Sequence, residues 1–277
     1  MRNSLVDLAR LERRRDVIYR RTRARRVRTL EDATQFINAV GFSLLFASTQ
    51  AIELPSLFEA VKGRRDAHID DWDADADRVW TWTGDLPAAR RAYYGKALAG
   101  GKPVFISLQM LPYVYVLAAP RDLNEEYARG RVSLEAKRVY DALYASGPMP
   151  TMALRAAAGL DRSGDTPRYH RALDELQRAL VIAPVGAVKE RGAWTSRIFD
   201  LVPRWFPRQV ARAQRIGTAE AQRAFVKRYM QTVVAAKAPP IARALGLRRE
   251  QVSAAVDDLI ARQVLSKRDD WVMWTSG

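Results

Sequence analysis

Ala172-Leu173-Asp174-Glu175-Leu176 returns near the C-terminus as Ala255-Val256-Asp257-Asp258-Leu259, and the flanks of the two stretches match as well. Before each lies a short helical segment: Leu154-Arg155-Ala156 closed by Gly159-Leu160, and Ile241-Ala242-Arg243 closed by Gly246-Leu247. Repetition of a whole run of elements, rather than of one motif, marks two copies of one supersecondary unit. In the first copy Ser133 caps a helix bearing Leu134, Ala136, Val139, Tyr140 and Leu143, ended by Gly147-Pro148. Thr151 caps the short helix Met152 to Ala158, and Thr166-Pro167 opens a third helix. Tyr169, Leu173, Leu176 and Leu180 form its apolar face, spaced 4, 3 and 4. Val181-Ile182 and Gly186 to Trp194 then predict two short strands joined by a basic loop. The second copy runs from Thr218 through Phe225, Tyr229 and Val233, then Ile241 to Leu245, then a helix with Val252, Val256 and Leu259. Leu265 to Lys267 and Trp271 to Trp274 are its two strands.

Helix, short helix, longer helix and a two-stranded wing is the order of a winged helix-turn-helix. The expected fold class is mainly α with small β wings (α+β), arranged as tandem winged helix-turn-helix units. Such units lay the third helix in the major groove of duplex DNA. Arg168, Arg171 and Arg178 lie on the solvent side of the first third helix, with His170 near its start, and guanidinium groups there suit phosphates and guanine edges. The matching helix shows Gln251, Ser253, Ala254, Asp257 and Asp258, and only Arg248 and Arg249 at its start suit a phosphate. The first copy is therefore the expected DNA reader and the second a packing partner.

Charge points the same way. The net charge is +15, and 38 of the 46 basic residues are Arg, whose planar fork suits phosphate; a GC-rich genome produces the same skew. Residues 1–30 carry +8, 31–130 carry −4, 131–216 carry +7 and 217–277 carry +4. These four stretches are the expected divisions: a basic N-terminal helix or arm, a divergent α/β winged-helix-like unit, and two winged helices. The chain has no cysteine and two histidines, so disulfides and thiolate metal sites are excluded and no cofactor or metal is expected. No run reaches the roughly 18–20 apolar residues of a membrane span, and no signal-peptide core follows Met1. A cytoplasmic, nucleoid-associated protein with double-stranded DNA as partner is the expectation.

The arm holds Arg10, Arg13, Arg14, Arg15, Arg20, Arg21, Arg23, Arg25, Arg26 and Arg28. Leu5, Leu8, Val17 and Ile18 allow an amphipathic helix, but few apolar positions accompany so much charge. The segment reads as a phosphate-contacting arm, dispensable for folding, in which Arg13, Arg14, Arg20, Arg21, Arg25 and Arg26 are candidate DNA ligands. A solvated face gives the same pattern. Between 31 and 130 the expected order is a helix from Leu30 to Val40, a buried strand from Phe42 to Thr49 and a short helix from Pro55 to Val61. A solvated linker containing Asp70, Asp71, Asp73, Asp75 and Asp77 follows, since a calcium loop would need a central Gly and a terminal Glu that are missing. Val79, Trp80 and Trp82 read as an aromatic strand and Asp85 to Ala97 as a helix. Pro103 to Ile106 reads as a strand, and Ser107 as the cap of an apolar helix. Trp80, Trp82, Tyr93 and Tyr94 suit base stacking, but the same spacing suits a core.

No phosphate loop, nucleophile elbow or His–carboxylate pair is present. The repeats together with Asn38-Ala39-Val40-Gly41-Phe42-Ser43-Leu44-Leu45 resemble the AlkZ-like proteins, bacterial DNA glycosylases that unhook interstrand crosslinks and are built from tandem winged helices. The resemblance spreads over most of the chain. It implies three winged-helix-like units, with residues 31–130 the most divergent. In that family a Gln-x-Gln or Gln-x-Asp motif places the catalytic water. The nearest equivalent here has Ser43 at the first Gln and Leu45 at the second polar position. Glycosidic hydrolysis needs a group that orients water and stabilises an oxocarbenium ion, which Leu45 does not supply. The resemblance thus implies a non-catalytic, DNA-repair-associated branch. A glycosylase with a rearranged site, using Asp85 or Gln109, and a transcriptional regulator are the alternatives.

Overall fold

The computed structural model describes residues 7–47, 53–65, 72–189 and 195–275. Helix α1 (Leu8–Ile18) precedes α2 (Leu30–Val40), β1 (Phe42–Leu44), α3 (Leu57–Lys62), α4 (Ala74–Ala88), β2 (Ala92–Gly95) and β3 (Val104–Ser107). The connecting helices α5 (Leu111–Ala118) and α6 (Leu123–Ala128) lead to α7 (Leu134–Ser146), β4 (Met149–Pro150), α8 (Thr151–Ala157), α9 (Thr166–Arg178), β5 (Ile182–Val188) and β6 (Ser196–Leu201). Then α10 (Val202–Trp205) and α11 (Pro207–Ala213) lead to α12 (Thr218–Val233), β7 (Ala235–Lys237), α13 (Ala238–Leu245), α14 (Arg249–Ala261), β8 (Leu265–Arg268) and β9 (Trp271–Trp274). Three times the chain runs helix, strand, helix, helix, strand, strand. Each time the three strands form one antiparallel sheet with the last strand in the middle. The class is α+β with small sheets, as the sequence predicts.

Several expectations shift. Val79, Trp80 and Trp82 lie in α4, not in a strand. Asp73 caps that helix by accepting from the amides of Asp75 and Ala76, and Asp75 and Asp77 sit in its first turn, where carboxylates suit the helix dipole. Ala76, Val79 and Leu86 are buried along its inner side, a helical spacing that the Trp-x-Trp alternation obscures. The aspartate stretch is thus in part a helix start; Asp70 and Asp71 lie outside the described residues. The strand expected over Phe42 to Thr49 ends at Leu44, and β2 replaces the middle of the helix expected over Asp85 to Ala97. In the second group Ile182–Val188 is a single edge strand with a bulge between Pro184 and Gly186, paired with Ser196–Leu201; residues 190–194 of the second expected strand lie outside the described residues. Pro184 reads as a breaker in sequence, but an edge strand with a bulge tolerates it. Ser133 does cap α7, accepting from Ala136 N at 3.2 Å. Thr151, expected as a cap, is instead the first residue of its helix, and Thr166 and Thr218 likewise open theirs.

The cores explain why the three groups stay together. Tyr169, Leu173 and Leu176 join Val139, Leu143 and Phe199 in a core local to the second group. Phe36, Ile37, Phe58, Trp82 and Tyr94 form one under the helices of the first. The largest core belongs to no single group: Phe42, Tyr93 and Ile106 of the first sheet meet Val185, Phe206 and the inner faces of α12, α13 and α14. Helix α12 is its axis. Phe225 packs edge-on against Phe42 at 4.9 Å, and Thr232 Oγ1 donates to Val40 O at 2.7 Å. The C-terminal copy is thus packed against the first sheet.

The N-terminal segment joins this framework. Its inward side is Leu11, Arg15 and Tyr19, whereas Leu8 and Val17 are exposed. The Arg15 guanidinium donates to Val233 O at 2.9 Å and Ala235 O at 2.7 Å, where α12 ends and β7 begins, and pairs with Glu12 and Glu53. Val27 is fully buried against α3, its amide donating to Ala60 O. An arm dispensable for folding is therefore corrected to a structural helix. A buried guanidinium with both carbonyls in reach is costly to remove, because the carbonyls lose their partner. Arg15→Ala is expected to destabilise the protein by about 3 kcal/mol. Deletion of residues 1–28 should lower the urea midpoint, and an unchanged midpoint in either variant would contradict this packing.

Candidate nucleic-acid interface

The position of α9 follows from its apolar stripe. Tyr169, Leu173 and Leu176 face inward, so Arg168, His170 and Arg171 face outward at the first turns. Tyr169 OH donates to Thr151 O at 3.0 Å, tying α9 to the start of α8. Glu175 accepts from Ser133 N at 2.9 Å and Ser133 Oγ at 2.6 Å, fixing α9 against the start of α7. Arg168 and Arg171 share a shallow cleft of about 280 Å3 with Ser133, Glu135 and Glu175. Two carboxylates thus temper the positive charge of the cleft.

The far end of α9 is occupied. Lys96 Nζ pairs with Asp174 at 2.5 Å, and Tyr93 OH donates to Gln177 O at 3.5 Å. Arg178 is exposed, but its guanidinium lies over Gly101, in the turn between β2 and β3, where a Cβ would meet it at 2.4 Å. The structure therefore brings Arg168, His170 and Arg171 together and turns Arg178 to a neighbouring loop.

The wing is partly enclosed too. β5 packs on α4 and β2. Gly84 in α4 permits the approach: a Cβ there would stand 3.1 Å from that of Ala187. Arg197 on β6 lies between Trp80 at 4.8 Å and Tyr94 at 5.5 Å. Burial pushes the Tyr94 hydroxyl up to about 12, so a neutral ring meets the cation. Trp82, Tyr93 and Tyr94 are core residues, and only Trp80 of the four candidate stacking aromatics is exposed. Ala187, Val188 and Lys189 at the wing's described edge face solvent.

The other candidate cations sit on separate elements. Arg13 and Arg14 are exposed on α1, which packs on α12. Arg25 and Arg26 are exposed in the following turn. Arg21 is held by buried Glu59 through two hydrogen bonds, at 2.7 and 3.0 Å, and Arg20 donates to Asp32 O at 3.3 Å beside the Phe36 ring. These two are spent on the fold. Arg248 and Arg249 are exposed at the start of α14, farther along which Asp258 pairs with Arg262 and Arg223.

One group escaped the sequence reading. Residues 202–249 carry eleven basic side chains and one acidic, a larger net positive charge than that of the arm. Dividing the charge at residue 216 cuts it in two. The stretch includes α11 and α12, with Arg208, Arg212, Arg215 and Lys227 exposed.

The sequence profile described as AlkZ related matches residues 27–246, from the turn before α2 to the end of α13. The chain belongs to the AlkZ-related family. Membership suggests a glycosylase-like fold associated with DNA repair and implies interaction with DNA. No curated protein and no solved structure matches the chain significantly. None of the described helices is long and apolar enough to cross a membrane.

Within the matched region, Ser43 is fully buried and its Oγ donates to Leu44 O at 3.1 Å and Pro55 O at 3.3 Å. Leu45 is buried in the core under the first helices. The two positions where the resemblance places the water-holding pair are thus a filled wall. Asp85 and Gln109 are both exposed, on α4 and just before α5.

Arg197→Ala should loosen the second sheet from α4, since the stacked guanidinium and its stem fill the space between two rings. A loss of about 1–3 kcal/mol is expected from such a partly desolvated cation–π pair, with a shift in tryptophan emission as Trp80 changes surroundings. Unchanged emission and melting would show that Arg197 does not bind the two elements.

Proposed function

We propose that this AlkZ-related chain is a duplex-DNA-binding protein of tandem winged helices, serving repair or genome maintenance in the cytoplasm without glycosylase chemistry of its own. The observation that carries the reading is the thrice-repeated order of helix, strand, helix, helix and hairpin with the last strand central. It is the connectivity expected of a winged helix, and in one copy the third helix presents Arg168, His170 and Arg171 at its open end. The basic surface of α11 and α12 and the exposed Arg13, Arg14, Arg25, Arg26, Arg248 and Arg249 add phosphate-binding capacity. Burial of Ser43 and Leu45 supports the absence of chemistry at that position, since water has no group there to orient it.

Binding of this kind is dominated by counterion release. With roughly six phosphates neutralised, affinity should fall about a thousandfold between about 50 and 200 mM salt. A flat titration would remove the DNA-binding reading. Replacing Arg168 and Arg171 by Ala should cost about 1–3 kcal/mol for each arginine that hydrogen-bonds a base edge, while Ser253→Ala on α14 changes affinity little. Fluorescence anisotropy at fixed salt, with melting temperature as folding control, separates the two helices. Equal weakening in the two variants would mean that α9 is not the reading helix. Abasic sites formed on alkylated or crosslinked duplex would show glycosylase activity despite the buried Ser43, and a selected operator sequence would show a regulator.

A further inference from the structure

Between α5, α11 and α12 lies an open cleft of about 400 Å3, lined by Gln109, Tyr113, Arg212, Lys227, Arg228 and Gln231 among others, with no carboxylate in its wall. Arg228 lines it, and its place is set by the fold. The stem of Arg228 crosses Gly41, where a Cβ would meet Cγ at 2.6 Å and Cδ at 2.9 Å. Gly41 also has φ +81°, a left-handed backbone that a glycine adopts without strain. Arg228 Nη1 donates to Ala39 O at 3.2 Å, and one turn on Thr232 holds Val40 O. The half-buried guanidinium is thus pinned against the end of α2. Among the described residues it has no carboxylate partner, and burial lowers its pKa. A partly desolvated cation without a counter-charge is costly, and an anion offsets that cost.

The neighbours extend the same chemistry. Arg212 donates to Tyr113 OH at 3.0 Å, with its guanidinium 5.3 Å from the ring centre. The ring steers this cation, and among the described residues its other N–H groups have no hydrogen-bond partner. Lys227 is exposed on the same helix as Arg228, and Gln109 and Gln231 supply amide donors from two elements. Three cations and two amides around one concavity suit an oxyanion with several acceptors, which guanidinium forks bind in pairs of hydrogen bonds. The volume is within the range of small-ligand sites.

We infer that the α5–α11–α12 cleft is a phosphate-binding site, separate from the face of α9, that holds a phosphate group between Arg228, Arg212 and Lys227 with Gln109 and Gln231 beside it. The phosphate comes either from a free anion or from a nucleic-acid strand. The site does not depend on α9 reading duplex DNA.

The test uses the full chain, with inorganic pyrophosphate and a 5′-phosphorylated single-stranded oligonucleotide as probes, followed by titration calorimetry. The double variant Arg212→Gln with Lys227→Gln alters two exposed side chains, and Gln231→Ala is a second, milder variant. Arg228→Gln is left aside because its stem supports Gly41. Saturable pyrophosphate binding that weakens at least tenfold in the double variant, but not in Arg168→Ala with Arg171→Ala, supports a free anion. An effect of that size only on the oligonucleotide, abolished when its 5′-phosphate is removed, supports a strand end. Binding of both probes unaltered by the double variant and by Gln231→Ala, or no saturable binding of either, overturns the proposal. The double variant leaves Arg168 and Arg171 in place, so duplex reading by α9 stands or falls on its own variant.

Discussion

The seat of α12 across the first sheet is the interaction on which the rest depends. Phe225 meets Phe42 edge-on, and Tyr229, Met230 and Val233 fill the same core, so the helix is apolar along more than one side. Its hydrogen bonds to Val40 O through Thr232 and to Ala39 O through Arg228 set its register against the end of α2. Its last turn, through Val233 O, takes the guanidinium of Arg15. One helix thus links the N-terminal segment, the first sheet and the C-terminal hairpin. Groups that repeat one topology are not thereby independent: the buried surface of the first and third is shared, and shared burial couples their stabilities.

This arrangement explains which parts were legible in the sequence. The second group keeps its own core, and its helices follow the spacing of Val139, Leu143, Tyr169, Leu173 and Leu176. Periodicity reads such a unit directly. The first group is harder because its strands are buried on both faces, so alternation is absent. Its third helix meanwhile carries Trp80 and Trp82 at a strand-like interval, although Asp73, Asp75 and Asp77 mark a helix start. Arg15 and Arg21 illustrate a second limit. Composition counts them with the solvent-facing arginines, but one is spent on carbonyls at the end of α12 and the other on Glu59. A charge in a basic run has no address until its partner in space is known.

The candidate interface follows the same logic. The repeated topology gives three helices in the third position, α4, α9 and α14. Packing and charge then separate them. β5 lies on α4, with Arg197 stacked on Trp80. On α14, Asp257 and Asp258 oppose phosphate, and Asp258 engages Arg262 and Arg223. The exposed Arg248 and Arg249 at the start of α14 are followed by these carboxylates, whereas the first turns of α9 carry exposed Arg168, His170 and Arg171, and the far end of α9 is tied to the first group through Lys96 and Tyr93. That tie fits the proposed reading role of α9, since a helix held at both ends presents its side chains with less freedom to lose on binding.

The same framework accounts for the position of the longest positive stretch. Helices α11 and α12 carry it because their inner sides are committed to the shared core, which leaves only the outer sides for polar residues. Arg228 stands at the border between the two. A lysine there would reach solvent on a flexible stem, whereas the guanidinium is fixed by a carbonyl and by the bare backbone of Gly41. Fixing a cation while leaving part of its donor set unused reduces the entropy lost when an anion arrives. The stretch immediately after Gly41, where the resemblance places a water-holding pair, is buried at Ser43 and Leu45. The adjoining surface is cationic instead. Polar capacity lies not on the strand that follows Gly41 but on the helix that crosses it, which is the observation behind the phosphate site proposed there.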